Sequence, residues 1–326
     1  MHATTPRRLA LTAALVAVSA LALYLLLPRL AGLDDTWARL HEGDVVWLAV
    51  ALVFEVASFA GYLALFEAIL APPPARLDRR GSIKITLAGV AATRLLAAGG
   101  AGGIALTVWA LRHAGLGARA IATRMTTFMV LLYGVFMIAL LVFGLGLYAG
   151  LLPGPAPWGL TVVPAAFGGI VIVAALALAL VPRGLDGAGR GRVARWIAVG
   201  SASVGEGVRG ALRAVRHPQP RLLGAIAWWA FDIATLWACL RAFGGEIALA
   251  PLVLAYFVGQ LGNLLPVPGG LGGVEGGMIG ALAGFGVPGG LAIAAVLAYR
   301  AFAFWLPTVP GVVAYVRLLR DARTQP

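Results

Sequence analysis

The amino-acid sequence predicts an all-α protein that crosses a lipid bilayer several times. Of its 326 residues, 61% are hydrophobic and only 12% are charged, whereas soluble domains carry about 25% charged residues. The hydrophobic residues form long continuous runs rather than short alternating ones. Only helices and closed barrels span a bilayer, and continuous runs of this length favour helices.

Eight segments are long and apolar enough to lie in a membrane. They are residues 9–27, 45–70, 85–111, 121–148, 160–181, 222–243, 251–285 and 291–316. The first follows Arg7 and Arg8, and it exceeds the apolar region of a cleaved signal peptide, about 7–15 residues. We therefore expect an uncleaved first span and one integral membrane domain over residues 1–326.

The distribution of basic residues predicts the topology. Arginine is concentrated in loops 71–84, 112–120 and 182–221 and in the C-terminal tail, and such loops normally face the cytoplasm. Simple alternation of eight spans places these loops on opposite sides. The conflict disappears if segment 85–111 enters and leaves the membrane on the cytoplasmic side and segment 251–285 enters and leaves it on the outer side. This predicts six full spans, two re-entrant segments, and cytoplasmic termini in a bacterial inner or plasma membrane.

Both predicted re-entrant segments have glycine-rich centres, which we call the first break (97–103) and the second break (266–273). Glycine and proline are expected where a helix is interrupted inside a membrane. In each segment a leucine pair precedes the glycine-rich string, which indicates an inverted repeat. Inverted repeats with broken helices place the substrate site of many transporters near the bilayer midplane. The alternative is that both segments are ordinary spans with a kink.

Ionisable side chains inside the apolar segments are the functional candidates, because each costs at least about 2.5 kcal/mol at mid-depth. The predicted lipid-binding residues are Arg94, Gly99, Gly100, Asn263, Pro266, Pro268, Gly269, Gly270, Glu275 and Arg300, with Glu55 and Asp232 as secondary candidates. Arg94, Arg300 and the backbone amides freed at helix ends suit a phosphate, and Glu275 suits a cationic group or a proton. The alternative for each charged residue is a structural ion pair between helices.

Two further patterns concern packing. The stretch 192–216 mixes arginine with apolar residues at helical spacing, which predicts either a helix on the inner leaflet or a plain cytoplasmic connector. Gly276 and Gly280 have the small-xxx-small spacing that is typical of close helix packing.

The sequence argues against several classes of site. Cys239 is the only cysteine, so the chain has no internal disulfide, and its four histidines lack metal-ligand spacing. We find no phosphate-binding loop, zinc-protease motif or nucleophile elbow. We therefore predict no catalytic residue, no metal and no cofactor. The net charge of +12 lies in membrane loops, which favours anionic lipids rather than nucleic acid as partners.

The second break carries a specific motif. The string Asn263-Leu-Leu-Pro-Val-Pro-Gly-Gly-Leu-Gly-Gly-Val-Glu275, followed by Tyr299-Arg300 and Phe304-Trp-Leu-Pro307, resembles the membrane region of lysylphosphatidylglycerol synthases and the wider flippase-like family built on it. The resemblance covers residues 9–317. It implies an all-helical membrane fold with paired re-entrant elements and a role in moving lipids between leaflets.

The resemblance also sets two expectations about activity. The two-part synthases carry a soluble acyltransferase-like domain, and since nothing follows Pro326 we expect no synthetic activity. Family members often have a proline and an acidic residue at the first break, where this chain has Ala97, Ala98 and Ile104. The lipid headgroup is therefore not carried over from the family.

Three functions are compatible with these features. The leading hypothesis is a flippase-like transporter of a phosphate-bearing or anionic lipid, with aminoacylated and polyprenyl lipids among the candidates. One alternative is a non-transporting membrane subunit that anchors or regulates a separate lipid- or glycan-modifying enzyme. The other is a secondary transporter of a small solute. Membrane lipids are the expected partners, together with a second copy of the chain or such an enzyme.

Overall fold

The protein is an all-α polytopic membrane protein. The computed structural model describes residues 42–71, 77–95, 101–180, 192–217, 219–264 and 270–324, and these residues contain helices and no strand. The helices are α1 Val45–Ile69, α2 Arg79–Leu95, α3 Ala101–His113, α4 Ala118–Tyr148, α5 Trp158–Leu180, α6 Arg192–Arg216, α7 Gly224–Ala242, α8 Leu249–Gln260, α9 Gly273–Gly284, α10 Gly289–Arg300 and α11 Leu306–Thr324. A π-helical turn, Ala301–Trp305, joins α10 to α11.

Five helical stretches in the described residues are long and apolar enough to cross a membrane. They are Val45–Ile69, Ala118–Tyr148, Trp158–Leu180, Pro220–Ala242 and Gly289–Asp321. They correspond to five of the six predicted full spans, and the sixth, residues 9–27, lies outside the described residues. At 1.5 Å per residue, the 31 residues of α4 extend about 46 Å, which exceeds the roughly 30 Å hydrocarbon core.

Each predicted re-entrant segment folds as a helical hairpin around its break. In the first, α2 and α3 pack side by side, with Gly103 directly against Gly89. In the second, α8 and α9 pack together, with Gly262 directly against Gly273. The 12 residues of α8 extend only about 18 Å. The hairpin shape is therefore present, and its entry and exit on one membrane side remain a prediction.

The glycine contact within the second hairpin corrects one prediction. A Cβ atom added at Gly276 or Gly280 would meet no other atom within 4 Å, so these glycines do not mediate helix packing among the described residues. Gly277, one position away, lies against Gly259 of α8, and Gly273 also faces that helix. The small-xxx-small spacing is used, but on a face of α9 displaced by one residue.

Helices α1 and α7 form the central antiparallel pair. Ser58 Oγ donates a 2.8 Å hydrogen bond to the Trp228 carbonyl, and the Trp47 and Trp237 rings meet edge to face with centroids 5.1 Å apart. From one contact to the other, the residue number rises from 47 to 58 in α1 and falls from 237 to 228 in α7, so the two helices run antiparallel. Corresponding helices of the two halves therefore pack in opposite directions.

The two hairpins also pack against helices from the other part of the chain. In the hairpin around the first break, α2 packs antiparallel to the last helix, α11, and Lys84 Nζ lies 3.0 Å from Asp321 Oδ2. In the hairpin around the second break, α8 packs against α4, and the Phe136 and Phe257 rings stack with centroids 4.3 Å apart. With α1–α4 as the first half and α7–α11 as the second, the hairpin of each half packs against the last helix of the other half. This is the arrangement that an inverted repeat produces.

The arginine-rich segments meet at one end of the helix bundle. The Lys84–Asp321 ion pair joins the start of α2 to the end of α11, and Thr123 Oγ1 donates to Glu206 Oε2 (3.4 Å) between α4 and α6. Loop 149–157 lies at the opposite end, against the start of α8. The basic end contains Arg79, Arg80, Lys84, Arg112, Arg119, Arg124, Arg209, Arg213, Arg216, Arg221, Arg317 and Arg320. A single basic face is what the hairpin topology predicts.

The stretch 192–216 is the helix α6, and it packs across the ends of two spans. Gly210 lies directly against Thr127 of α4, and Arg209 Nη1 donates a 2.8 Å hydrogen bond to the Ala179 carbonyl near the C-terminus of α5. A cationic side chain is favourable at that end of a helix dipole. The helix is confirmed; its contact with the inner leaflet remains a prediction.

The glycine contact between α1 and α7 yields a stability prediction. A Cβ atom at Gly61 would lie 2.8 Å from Ala227 Cβ and 2.9 Å from the Trp228 backbone nitrogen. Gly61→Ala is therefore expected to lower the free energy of unfolding by about 1–3 kcal/mol through overpacking, measured as the thermal midpoint in detergent. Gly134→Ala on α4 is the matched control, because a Cβ there meets nothing within 4 Å. Equal effects of the two substitutions would contradict the close α1–α7 approach.

Candidate functional site

Charged and hydroxyl side chains from six helices converge midway along the bundle. We call this set the polar centre; it consists of Glu55, Arg94, Asp232, Tyr256, Glu275, Tyr299 and Arg300. The four side chains Glu55, Asp232, Glu275 and Arg300 are only 3–6% exposed. Glu55 and Asp232 lie near the middle of α1 and α7, and Arg94 and Glu275 flank the two breaks. The centre therefore lies between the breaks, where an inverted repeat would place its substrate site.

Glu275 and Arg300 form a buried ion pair. Arg300 Nε donates to Glu275 Oε1 at 2.7 Å, and Glu275 Oε2 accepts a 2.7 Å hydrogen bond from the Gly272 amide. The carboxylate thus caps the first turn of α9, where negative charge is favourable. Glu275 therefore binds the Gly272 amide, one of the helix-end amides that the sequence suggested for an anionic headgroup. Gly270 and Gly272 have φ values of 64° and 81°, a conformation that favours glycine at this bend.

Arg94 binds two successive carbonyl groups, one of which a proline leaves without its usual partner. Pro307 has no N–H, so the Ala303 carbonyl loses its α-helical donor four residues ahead. Arg94 reaches across from the end of α2, and its Nη2 donates to the Ala303 carbonyl while its Nη1 donates to the Phe304 carbonyl at 2.6 Å. The fork of the guanidinium matches two successive carbonyls of the π-helical turn. Turns of this kind occur frequently at functional sites.

Arg94 also keeps binding capacity. No carboxylate lies within 4.0 Å of its guanidinium in the described part of the chain, and its Nε–H donates to no described acceptor. The side chain is partly exposed beside the first break. The Phe304 ring lies between the two arginines, with centroid distances of 5.2 Å to Arg94 and 4.2 Å to Arg300. A cation whose direct partners are uncharged oxygens is suited to take up an anion.

Glu55 and Asp232 face each other across the α1–α7 contact. Each carboxyl group has one buried oxygen without a hydrogen-bond partner among the described residues, Glu55 Oε2 and Asp232 Oδ1. Asp232 Oδ2 accepts hydrogen bonds from the hydroxyl groups of Tyr256 and Tyr299. No arginine or lysine lies within 4.0 Å of either carboxyl group among the described residues.

A chain of hydrogen bonds joins this acidic pair to the second break. Asn263 Nδ2 donates to Gln260 Oε1 at 2.7 Å, Gln260 Nε2 donates to the Tyr299 hydroxyl at 3.3 Å, and that hydroxyl donates to Asp232 Oδ2 at 3.2 Å. Asn263 is exposed, whereas Tyr299 is 2% exposed. The chain therefore runs from an accessible amide to the buried carboxyl pair.

The structure brings together all five charged candidates from the sequence. Glu55, Arg94, Asp232, Glu275 and Arg300 all belong to the polar centre, and Asn263 is linked to it. Gly270 forms the bend before α9. The remaining predicted residues, Gly99, Gly100, Pro266, Pro268 and Gly269, lie outside the described residues.

Sequence reasoning missed three polar contributors. Tyr256 and Gln260 lie in an apolar helix, and Thr308 accepts a 3.3 Å hydrogen bond from Arg94 Nη1. The signal was present, because tyrosine and glutamine within an apolar segment need internal hydrogen-bond partners. A list of hydrogen-bonding side chains, rather than of charges alone, would have found them.

Comparison with known proteins gives two findings. Residues 11–311 match the family model described as the lysylphosphatidylglycerol synthase TM region. Two curated relatives from Methanothermobacter thermautotrophicus, each described as a UPF0104 membrane protein, are 34% identical to this chain over 93 and 86 residues. These stretches are 28% and 26% of this chain, and the chain spans only 26% of the length of each relative.

Proposed function

This chain belongs to the family of the lysylphosphatidylglycerol synthase TM region, and on that premise we propose that it moves a phosphate-bearing or anionic lipid between the leaflets of a bilayer. The observation that carries the proposal is Arg94, a guanidinium at a helix break that donates to neutral carbonyls and has no carboxylate partner within 4.0 Å among the described residues. The basic end of the bundle, which the positive-inside rule predicts to face the cytoplasm, would attract anionic headgroups to that side of the protein.

The position of Arg94 favours a headgroup rather than a whole lipid as the bound species. Its neighbours are the π-helical turn and Phe304, and three of the five long apolar stretches, Val45–Ile69, Pro220–Ala242 and Gly289–Asp321, contribute side chains to the polar centre. A phosphate could replace the carbonyl contacts of Arg94 with stronger charge-assisted hydrogen bonds, while the acyl chains stay among exposed apolar helix faces. Asn263 and the polar groups that are hydrogen-bonded to it at the second break offer a second polar surface for the headgroup.

Leaflet exchange in proteoliposomes tests this function. Fluorescent lipids with anionic, aminoacylated and polyprenyl-phosphate headgroups, together with a neutral lipid without phosphate, are compared, and an impermeant quencher reports the outer leaflet. We expect faster exchange of a phosphate-bearing lipid than of the neutral lipid. We expect Arg94→Gln to reduce that rate by about ten- to hundredfold, because a hydrogen bond to a charged group contributes about 1.5–3 kcal/mol.

Arg241→Gln is the matched control. Arg241 lies in the last turn of α7, away from the polar centre, and forms an ion pair with Glu246. Equal losses in the two variants would contradict the role of Arg94. Absence of exchange for every lipid, with folded protein and an imposed ion gradient, would overturn the proposal. That result would favour a membrane subunit that supports a separate enzyme.

A further inference from the structure

The Glu55–Asp232 pair is incompletely satisfied as two carboxylates. Glu55 Oε2 and Asp232 Oδ1 are buried and have no hydrogen-bond partner among the described residues. An ionised carboxylate only accepts hydrogen bonds, so two of them cannot satisfy each other, and their charges repel in a low-dielectric interior. One proton makes either carboxyl group a donor. The two unmatched buried oxygens therefore favour one proton on the pair, as in other interacting acids that titrate together.

The charges around the pair favour the same protonation. The groups that face it are Arg94 on α2, Cys239 on α7, Tyr256 on α8 and Tyr299 on α10, and Arg300 lies beyond them, beside Arg94 and Tyr299. With Glu275 included, the polar centre has three carboxyl groups against two guanidinium groups. One proton on the acidic pair therefore makes the buried centre neutral, which removes a large desolvation penalty.

The path to the pair contains one group that can relay a proton, the Tyr299 hydroxyl. The carboxamides of Asn263 and Gln260 donate hydrogen bonds but do not pass protons on, so a water in the place of Gln260 is the group that would deliver the proton to Tyr299. Tyr299 accepts from Gln260 and donates to Asp232, so its hydroxyl stands between the exposed end of the hydrogen-bond chain and the acid. Tyr256 donates to the same Asp232 oxygen, but it is fully buried and has no described link to Asn263 or Gln260. The two tyrosines thus differ in connection to the second break, while both stabilise Asp232.

We propose that the Glu55–Asp232 pair is a proton-binding site that exchanges with water at the second break through Tyr299 and couples lipid movement to a pH gradient. The coupling rests on the proposed lipid transport, whereas the proton site does not. An anionic headgroup at Arg94 would cancel a positive charge near the pair, and a second proton would then bind more readily. Proton and anionic lipid therefore move together, from the acidic to the alkaline side.

Infrared spectroscopy of the whole protein in lipid tests the proton site without a transport assay. We expect wild-type protein at neutral pH to show the C=O stretching band of a buried protonated carboxyl group. Glu55→Gln should remove the band, because the glutamine NH₂ donates to Asp232 in place of the proton. Glu246→Gln, at an exposed position, should retain it. Absence of the band in wild type, or an unchanged band in Glu55→Gln, would overturn the proposal.

Two additions make this test independent of the variants' folding and specific for the path. Carboxyl-labelled aspartate and glutamate in wild-type protein should shift the band if it arises from these side chains. After transfer to D₂O, Tyr299→Phe should slow the isotopic shift of the band by roughly tenfold, as expected for loss of one hydrogen bond. Tyr256→Phe should slow it much less. Equal rates in the two variants would exclude the Tyr299 path.

The coupling is tested in proteoliposomes with an imposed pH gradient. Wild-type protein should move the anionic lipid several-fold faster out of the leaflet on the acidic side, and Glu55→Gln should lose this response. A protonated-carboxyl band without any lipid exchange would overturn the proposed transport and leave the proton site. Lipid exchange that ignores the gradient would overturn the coupling alone.

Discussion

Replacing Glu275 by glutamine is expected to lower the free energy of unfolding by about 3–5 kcal/mol, because it breaks a buried ion pair and leaves a buried guanidinium without that carboxylate. Glu275 and Arg300 are 6% and 5% exposed and their bonded atoms are 2.7 Å apart. Glutamine keeps the shape of the side chain and can still accept from the Gly272 amide. The loss therefore reports the charge rather than the cap. Thermal or denaturant unfolding in detergent measures it.

Glu246→Gln provides the control for that measurement, because the Arg241–Glu246 ion pair is exposed. An exposed pair contributes about 0–1 kcal/mol, so this variant should unfold close to wild type. The double variant Glu275→Gln/Arg300→Gln should recover part of the lost stability, since it removes both buried charges. A Glu275→Gln protein as stable as Glu246→Gln would show that the polar centre tolerates the Arg300 guanidinium without this carboxylate, and it would contradict a stabilising role of the ion pair.

Replacing Arg94 by lysine is expected to reduce lipid exchange by about ten- to hundredfold although the charge is kept. The guanidinium donates to two successive carbonyls with two nitrogens and keeps a further N–H for a ligand. Lysine has one ammonium group on a flexible stem and cannot reproduce that fork. If each lost charge-assisted hydrogen bond contributes about 1.5–3 kcal/mol, one such loss accounts for the reduction. Initial exchange rates at matched protein-to-lipid ratios measure it.

Two comparisons separate binding from folding in this experiment. Arg241→Lys, at the exposed pair, should leave exchange unchanged. The thermal midpoint of Arg94→Lys should fall less than that of Glu275→Gln, because lysine can still donate to one of the two carbonyls. Wild-type exchange by Arg94→Lys would mean that positive charge alone suffices at the first break, and the fork geometry would then have no role in transport.

Much of the fold was predictable because its determinants are local in the chain. Hydropathy located all five described spans, and glycine and proline located both hairpins, since these residues interrupt helices wherever they occur. The Gly276 and Gly280 prediction failed for a related reason. Spacing identifies a small-residue stripe, but the face of α9 that meets α8 is set by the hairpin bend at Gly270 and Gly272.

By itself, the sequence determined the membrane environment, the helical class, the two interruptions and the gathering of arginine at one end. Each of these depends on composition within a short window or on the order of charged loops. Only the tertiary structure decided which buried charges meet. Glu275 pairs with Arg300, Arg94 binds the carbonyls beside Pro307, and Glu55 faces Asp232. The partners of Glu55 and Arg94 lie far away in the chain. Their register is set by close glycine contacts between antiparallel helices, Gly61 against Ala227 and Gly311 against Ala91, which no local pattern specifies.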